Sequence, residues 1–393
     1  MMATRIHIVL WFLFISACSH LETNSSDLTH FDNNKLYQTL FPNEPPLNKP
    51  ISVQRFQLVG TQLPSSSISN IDFSLSELQK VNFKQAKLDN IIFHGGRIIN
   101  TDFSNSTLTN VSFSGAELRN VNFKNTKFIN VDISNTHISD SNFEGALFFN
   151  TKLNKSRFAD SILSNVTFEK SNLASVTFYY SSLKNINFSH QNLKHSIFTG
   201  CTISNSSFEG SNLEYADFSS SSINNSSFSS SLMINVKANN AKWSKINFTA
   251  IKGIGMNFEN GHISESTMDY ADLRETRFLE TQFDKTTLNH TNLEYTNFSF
   301  SVMNNISLAD SIISRAIFNR TSLAHANLKN TKAKWTSFLM ANLEFSTLSG
   351  SDIHKADFRG ANLQHTDFTN TKHFDNAIGF SKSENYSTIK PPN

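Results

Sequence analysis

The sequence predicts an all-β solenoid built of square coils, and three observations predict it. Reading every fifth residue from Leu63 to Ile378 samples 64 positions, of which 60 are Phe, Leu, Ile, Met or Trp, in a chain that is only 38% hydrophobic. Two residues before most of these large positions stands a small or β-branched one, as at Val111, Ala116, Val121, Thr126 and Val131. No proline occurs from residue 65 to 390, which suits continuous main-chain pairing. A period of five is neither the alternation of a strand nor the turn of a helix. One large and one small inward position in every five residues describe one side of a square whose corner falls at every fifth residue.

The chain opens with Arg5 and His7 before Ile8 to Ala17, an uncharged apolar run of signal-peptide length that is short for a membrane span. The run ends in Ile15-Ser16-Ala17-Cys18, which resembles the bacterial lipobox. That resemblance implies removal of residues 1–17 and acylation of Cys18, which becomes N-terminal and anchors the chain in a membrane. By the same analogy Ser19, where some lipoproteins carry Asp, implies sorting to the outer membrane of a Gram-negative cell. The alternative is an ordinary signal peptide cut after Ala17. Residues 18–60 are rich in Asn, Ser, Asp and Pro and predict a tether after the lipidated cysteine. Within it Asn33 to Phe41 predicts a short helix, with Leu36, Leu40 and Phe41 on one side, that covers the open end of the coils.

The repeat runs from 61 to 380. Its units Ala271-Asp272-Leu273, Ala341-Asn342-Leu343, Ala356-Asp357-Phe358 and Ala361-Asn362-Leu363 resemble the A(D/N)LXX motif of the pentapeptide-repeat family. The resemblance implies a right-handed quadrilateral β-helix with four pentapeptides per coil, hence about 16 coils from the 64 positions. Residues twenty apart then stack in columns. Phe158, Phe178, Phe198 and Phe218 occupy one face and Phe148, Phe168, Phe188 and Phe208 the opposite one, with Leu columns between. In earlier coils Phe73, Phe93 and Phe113 face Phe83, Phe103 and Phe123, so the pattern rotates by one face near Phe123-Phe128 and Phe143-Phe148. Between Met233 and Met268 the large positions include Ala238 and Gly253, while the small ones hold Ile246, Ile251 and Met256, and this predicts a bulge or bend. The pattern fades after Ile378, leaving 381–393 as a C-terminal tail.

Few chemistries fit. Lys+Arg 34 against Asp+Glu 32 provides neither a basic field for nucleic acid nor an acidic one to imitate it. Two cysteines, Cys18 and Cys201, make no disulfide framework and no zinc or redox spacing, and Cys201 falls at a small inward position between Phe198 and Ile203. The 13 histidines form no HExxH pattern, and His325 and His365 share a column with Phe345 between them. No phosphate-binding glycine motif occurs and the columns gather no carboxylates, so no enzyme activity, metal, cofactor or small-molecule substrate is expected. On the outer columns Asn90, Asn110, Asn130 and Asn150 predict an amide ladder, and Glu77, Arg97 and Glu117 an ion ladder.

One outer feature points to a partner. Tyr295, Phe300, Trp335, Met340 and Phe345 fall at outward corners of late coils, with Leu279 and Leu339 beside Phe300 and Met340. Exposed apolar side chains so concentrated predict a protein contact, the alternative being that they pack under the C-terminal tail. The expected role is a non-enzymatic, lipid-anchored, rod-shaped scaffold or interaction protein of the bacterial envelope, bound to the membrane through its N-terminal lipid and to an unidentified protein. An exported factor acting on a host or neighbouring cell, with Cys18 unmodified, is the alternative. The family's DNA-mimicking, gyrase-protecting members are expected to be strongly acidic and cytoplasmic, against which stand the net charge of +2 and the export signal.

Overall fold

The computed structural model describes residues 50–380 and the two-residue strand His30–Phe31. The signal segment, Cys18, the helix expected over 33–41 and the tail 381–393 lie outside the described residues. The chain divides into two compact units, Met1–Asn187 and Phe188–Asn393.

The corner is the element from which each coil is made. Every fifth residue from Arg55 to Asn370 has φ between 48° and 75°, the left-handed region. This costs an L-residue roughly 1–2 kcal/mol, and Asn and Gly tolerate it best. Main-chain hydrogen bonds hold the turn. In the side 123–127, the Phe123 and Asn125 N–H groups donate to Asn142 and Glu144 carbonyls in the next coil at 2.7 and 2.8 Å. Thr126 N–H donates back across the corner to the Phe123 carbonyl at 3.0 Å, and Lys127 N–H to Ser106 in the preceding coil at 2.9 Å. The Asp or Asn of each motif caps the same turn: Asp102 and Asn122 accept from the N–H two residues on, at 2.8 and 3.1 Å. Inward threonines bond to carbonyls as well, as Thr126 does to Phe103 at 2.7 Å. Most of the small inward column can therefore be hydroxylic with its polar groups satisfied, although the hydroxyls of Ser106, Ser231 and Ser346 have no partner among the described residues.

In the first unit all described strands pair in parallel, and from Ile51 onward they do so with a step of twenty. Gln57 pairs with Glu77, Glu77 with Arg97, Arg97 with Glu117, and so on through His137 and Arg157 to Thr177. A second face runs Ser67, Lys87, Thr107, Lys127, Leu147 and Thr167. The coils begin earlier than the boundary at 61, because β2 (Ile51–Ser52) pairs with β4 (Ser67–Asp72) and β3 (Gln57–Val59) with Glu77–Gln79. β1 (His30–Phe31) adds to β4 in parallel at Ser67 and Ile68. In the second unit the same step carries Thr202 to Ser222, Lys242, His262 and Gln282. Across both units the named strands, Ile51 to Asp284, trace about 11 turns rather than the 16 counted from pentapeptides. From there to Lys372 the step of twenty continues through single outward residues, as in Val302 to Ser322 and Thr347 to Asp367.

The core follows the columns. In the first unit Phe83, Phe103 and Phe123 stack at 5.0 and 5.1 Å, while Phe103 and Phe113 meet edge to face at 6.1 Å across the section. The rotation by one face occurs where the sequence places it: Phe123 stacks on Phe143 at 4.9 Å, Phe128 on Phe148 at 4.5 Å, and Phe143 meets Phe158 edge-on at 5.3 Å. In the second unit Phe208 and Phe228 stack at 4.6 Å, and Phe218 meets Phe228 edge-on. An apolar gap of about 20 Å³ among Phe56, Leu58, Leu63 and Phe73 has room for no more than a water.

No bulge or bend interrupts 233–268. Met233, Ala238 and Gly253 donate to Lys252, Asn257 and Asp272 at 2.7–2.8 Å with the step unchanged. Volume is exchanged inside the section instead. Trp243 lies fully buried, stacks on Phe228 and Phe248 at 5.1 and 5.4 Å, and donates its indole N–H to Ser221 Oγ at 3.0 Å. A Cβ on Gly253 would stand 2.3 Å from Met256 Sδ and 3.0 Å from Leu273, so the large position must be empty for Met256 to fill the small one. Trp243→Ala is therefore expected to destabilise the second unit by about 3–5 kcal/mol, and Trp243→Phe by less. Denaturant titration checks this; equal, small losses for both would contradict the volume exchange.

Candidate interaction surface

Each of the five candidate corner residues holds the left-handed conformation, with φ of 56–62°. The carbonyls of coils above and below hold the backbone there, so the side chains cannot turn inward. Tyr295, Phe300, Trp335, Met340 and Phe345 are 50, 51, 51, 54 and 49% exposed. They do not form one cluster. Tyr295 and Trp335 share one corner, Phe300 and Met340 the next, and Phe345 a third, as positions 15, 20 and 5 of the twenty-residue coil require. Leu279 and Leu339 are half-buried just before the second corner.

Reading apolar residues alone missed the cations. Arg315 lies over the Tyr295 ring at 5.4 Å and donates to its hydroxyl, Lys355 over Trp335 at 4.3 Å, and Arg320 over Phe300 at 5.6 Å. The signal was available, since each cation stands twenty residues after its ring. Phe345 is sandwiched by His325 and His365 at 5.1 and 4.7 Å, in the column order the sequence predicts. The outer ladders form too. Asn130 donates to Asn110 at 3.2 Å and Asn150 to Asn130 at 2.8 Å, though Asn110 turns to Asp89 rather than Asn90. Arg97 pairs with Glu77 and Glu117 at 3.6 and 3.5 Å. An open hollow of about 480 Å³ on the first unit, over Gly115, Glu117, His137 and Arg157, marks small neighbours in these columns rather than converging groups.

The described part of the C-terminal end covers the core rather than the corner aromatics. Phe374 and Phe380 stack at 4.2 Å and close over Phe358 and Phe368 at 5.1–5.5 Å. His373 supports this cap through Asp352, with its Nδ1 2.8 Å from one carboxylate oxygen, while Lys334 approaches the other at 3.3 Å. Partial burial pushes the Asp352 carboxyl up, but hydrogen bonds from His373, the His354 N–H and Lys334 outweigh it and hold the group below its ordinary value. The Arg274 and Arg359 guanidinium groups likewise lower Asp272 and Asp357. Among the described residues no three His, Cys, Asp or Glu side chains are gathered as a metal site, and no helix is long and apolar enough to cross a membrane. Cys201 is fully buried in its inward column.

Two family descriptions match these coils. "Pentapeptide repeat region" matches residues 101–178 and 171–248, and "Pentapeptide repeats (8 copies)" matches 57–95, 257–299, 291–330 and 341–372. The chain belongs to the pentapeptide-repeat family. No curated protein matches the sequence. Among solved structures the chain is similar to HetL, a pentapeptide repeat protein involved in heterocyst differentiation regulation in the cyanobacterium Nostoc sp. strain PCC 7120. The match has 16% identity, covers 55% of this chain and 92% of that one, and has a TM-score of 0.38. It is also similar to QnrB1, a plasmid-mediated fluoroquinolone resistance protein, at 18% identity, 54% and 93% coverage and a TM-score of 0.25. A pentapeptide repeat protein of the cyanobacterium Cyanothece 51142 matches at 18% identity, 35% and 98% coverage and a TM-score of 0.27. At these identities the likeness concerns fold alone, and the fold rests on the chain's own register.

A pentapeptide-repeat core filled with stacked rings leaves the Asp352 cap as a pH-dependent element. Because the folded carboxyl titrates below its ordinary value of 3.8, its contribution is present above that pH and lost as pH falls through and below it. Asp352→Asn should lower stability near neutrality and flatten the acid-side loss, read from urea midpoints between about pH 6 and pH 3. Parallel acid limbs for wild type and variant would rule out this role.

Proposed function

We propose that this pentapeptide-repeat protein is a non-enzymatic scaffold and interaction protein of a bacterial cell envelope, tethered by lipid on Cys18. The observation that carries the reading is a core with no space for a substrate, combined with outer faces that repeat one residue per coil. Such a chain offers surface rather than a cleft. The motif Ile15-Ser16-Ala17-Cys18, closing an apolar export run, supports the tether and its envelope location. Ser19 favours the outer membrane by the same analogy. The exposed corner residues Tyr295, Phe300, Trp335, Met340 and Phe345, with Leu279 and Leu339, are the surface on which a protein partner is sought. The net charge of +2 speaks against mimicry of nucleic acid.

A secreted binding factor with an unmodified cysteine is the competing reading, and lipid distinguishes the two. Metabolic labelling with a fatty-acid probe, followed by membrane fractionation, should give a labelled, membrane-retained wild type and an unlabelled, released Cys18→Ala variant. An unlabelled wild type in the soluble exported fraction would establish the secreted factor instead.

A further inference from the structure

We propose that one side of the second unit is a track for an acidic polysaccharide, a linear sugar polymer carrying carboxylates. The track lies between two successive corners of the coil. One corner carries Tyr295, Arg315, Trp335 and Lys355 in consecutive coils; the next carries Phe300, Arg320 and Met340. Rings alternate with cations on the first, the second has one such pair followed by Met340, and each of Arg315, Arg320 and Lys355 rests on the ring one coil earlier at 4.3–5.6 Å. The ring holds the cation at the corner and shields one side of it, leaving the other side to take an anion. Among the described residues none of the three cations forms an ion pair, whereas two carboxylates nearby are already paired: Asp357 with Arg359 at 2.6 Å and Asp352 with Lys334 and His373.

Between the corners the floor is uncharged from Asn297 to Leu339. Ile317 and Leu339 are half-buried on it, beside Asn319 and Ser337, whose side chains are hydrogen-bonded to each other at 2.5 Å. The strip has ends. One coil earlier the two corners are Glu275 and Glu280, and in the last coil, next to Lys355 itself, the floor carries the mutually paired Asp357 and Arg359.

The form of the ligand follows from this layout. Along the first corner Arg315 and Lys355 stand two coils apart, about 9.6 Å, with Arg320 beside Arg315 on the next corner, so the charges suit a linear polyanion with a charge spacing of that order. An apolar floor with amides and hydroxyls meets a sugar ring, which has C–H faces and polar edges, better than it meets an acidic peptide or a phosphate chain. The surface does not depend on lipid at Cys18, so failure of the tether and failure of the track are separate results.

The test uses the full chain and immobilised polygalacturonate, with dextran as the neutral control and poly-L-glutamate and a single-stranded oligonucleotide as competing polyanions. Retention of wild type on polygalacturonate, weakened by salt and absent on dextran, is expected. Replacing Arg315, Arg320 and Lys355 together by Gln should weaken it by about tenfold or more, with the circular dichroism spectrum unchanged. Replacing Lys237, Lys242 and Lys252 by Gln removes the same charge from the same unit and should have little effect. The proposal is overturned if polygalacturonate is not bound, or if both triple variants weaken equally. It is also overturned if poly-L-glutamate or the oligonucleotide binds as tightly with the same dependence on the three cations, which would assign the surface to an acidic protein or to nucleic acid.

Discussion

The left-handed corner at every fifth residue is the constraint on which the rest of the molecule depends. It turns the chain while keeping N–H and C=O groups pointed along the coil axis, where the neighbouring coils satisfy them. Strain of roughly 1–2 kcal/mol at a non-glycine corner is acceptable only because hydrogen bonds from two coils fix the backbone there. The corner also dictates composition. It explains the Asn and Gly at multiples of five, the Asp or Asn that caps the turn, and the absence of proline from residue 65 onward through the repeat.

Given that frame, the interior is a problem of constant cross-section. Each level receives four large and four small side chains, and what is conserved along the axis is their summed volume rather than their identity. Phe opposite Phe and Leu opposite Leu satisfies it in either orientation, which is why the pattern can rotate by a face at Phe123-Phe128 without a break in pairing. At Trp243 the same economy works over neighbouring positions. A large indole, an absent side chain at Gly253 and a methionine in the small column together fill one section.

The period, the inward columns, the rotation of the phenylalanines and the parallel architecture were legible because they follow from spacing alone. What was less legible depended on three-dimensional sums or on pairing across the repeat. Ala238 and Gly253 read as defects because a linear scan judges each position separately, whereas packing judges the section. The start at Ile51 was missed because proline and asparagine dominate the local composition, although Ile51 and Ile71 are already twenty apart. The cation partners of Tyr295, Phe300 and Trp335 were missed because a search for exposed apolar residues ignores arginine and lysine. The cap by Phe374 and Phe380 lies outside the five-residue frame and carries no periodic signal.

On such a scaffold the core is filled by stacked side chains and the corners hold side chains at fixed intervals on the outside. Everything said of the outer columns rests on a rise of one strand spacing per twenty residues. Spin labels at Ser227 and Asn327, outward residues of one face in the second unit, measure that rise directly. Five coils separate them, so the account predicts backbone positions about 24 Å apart and a further increase of about 4.8 Å when the second label moves to Thr347. A separation that did not grow by one strand spacing for each added twenty residues would contradict the stacked-coil register.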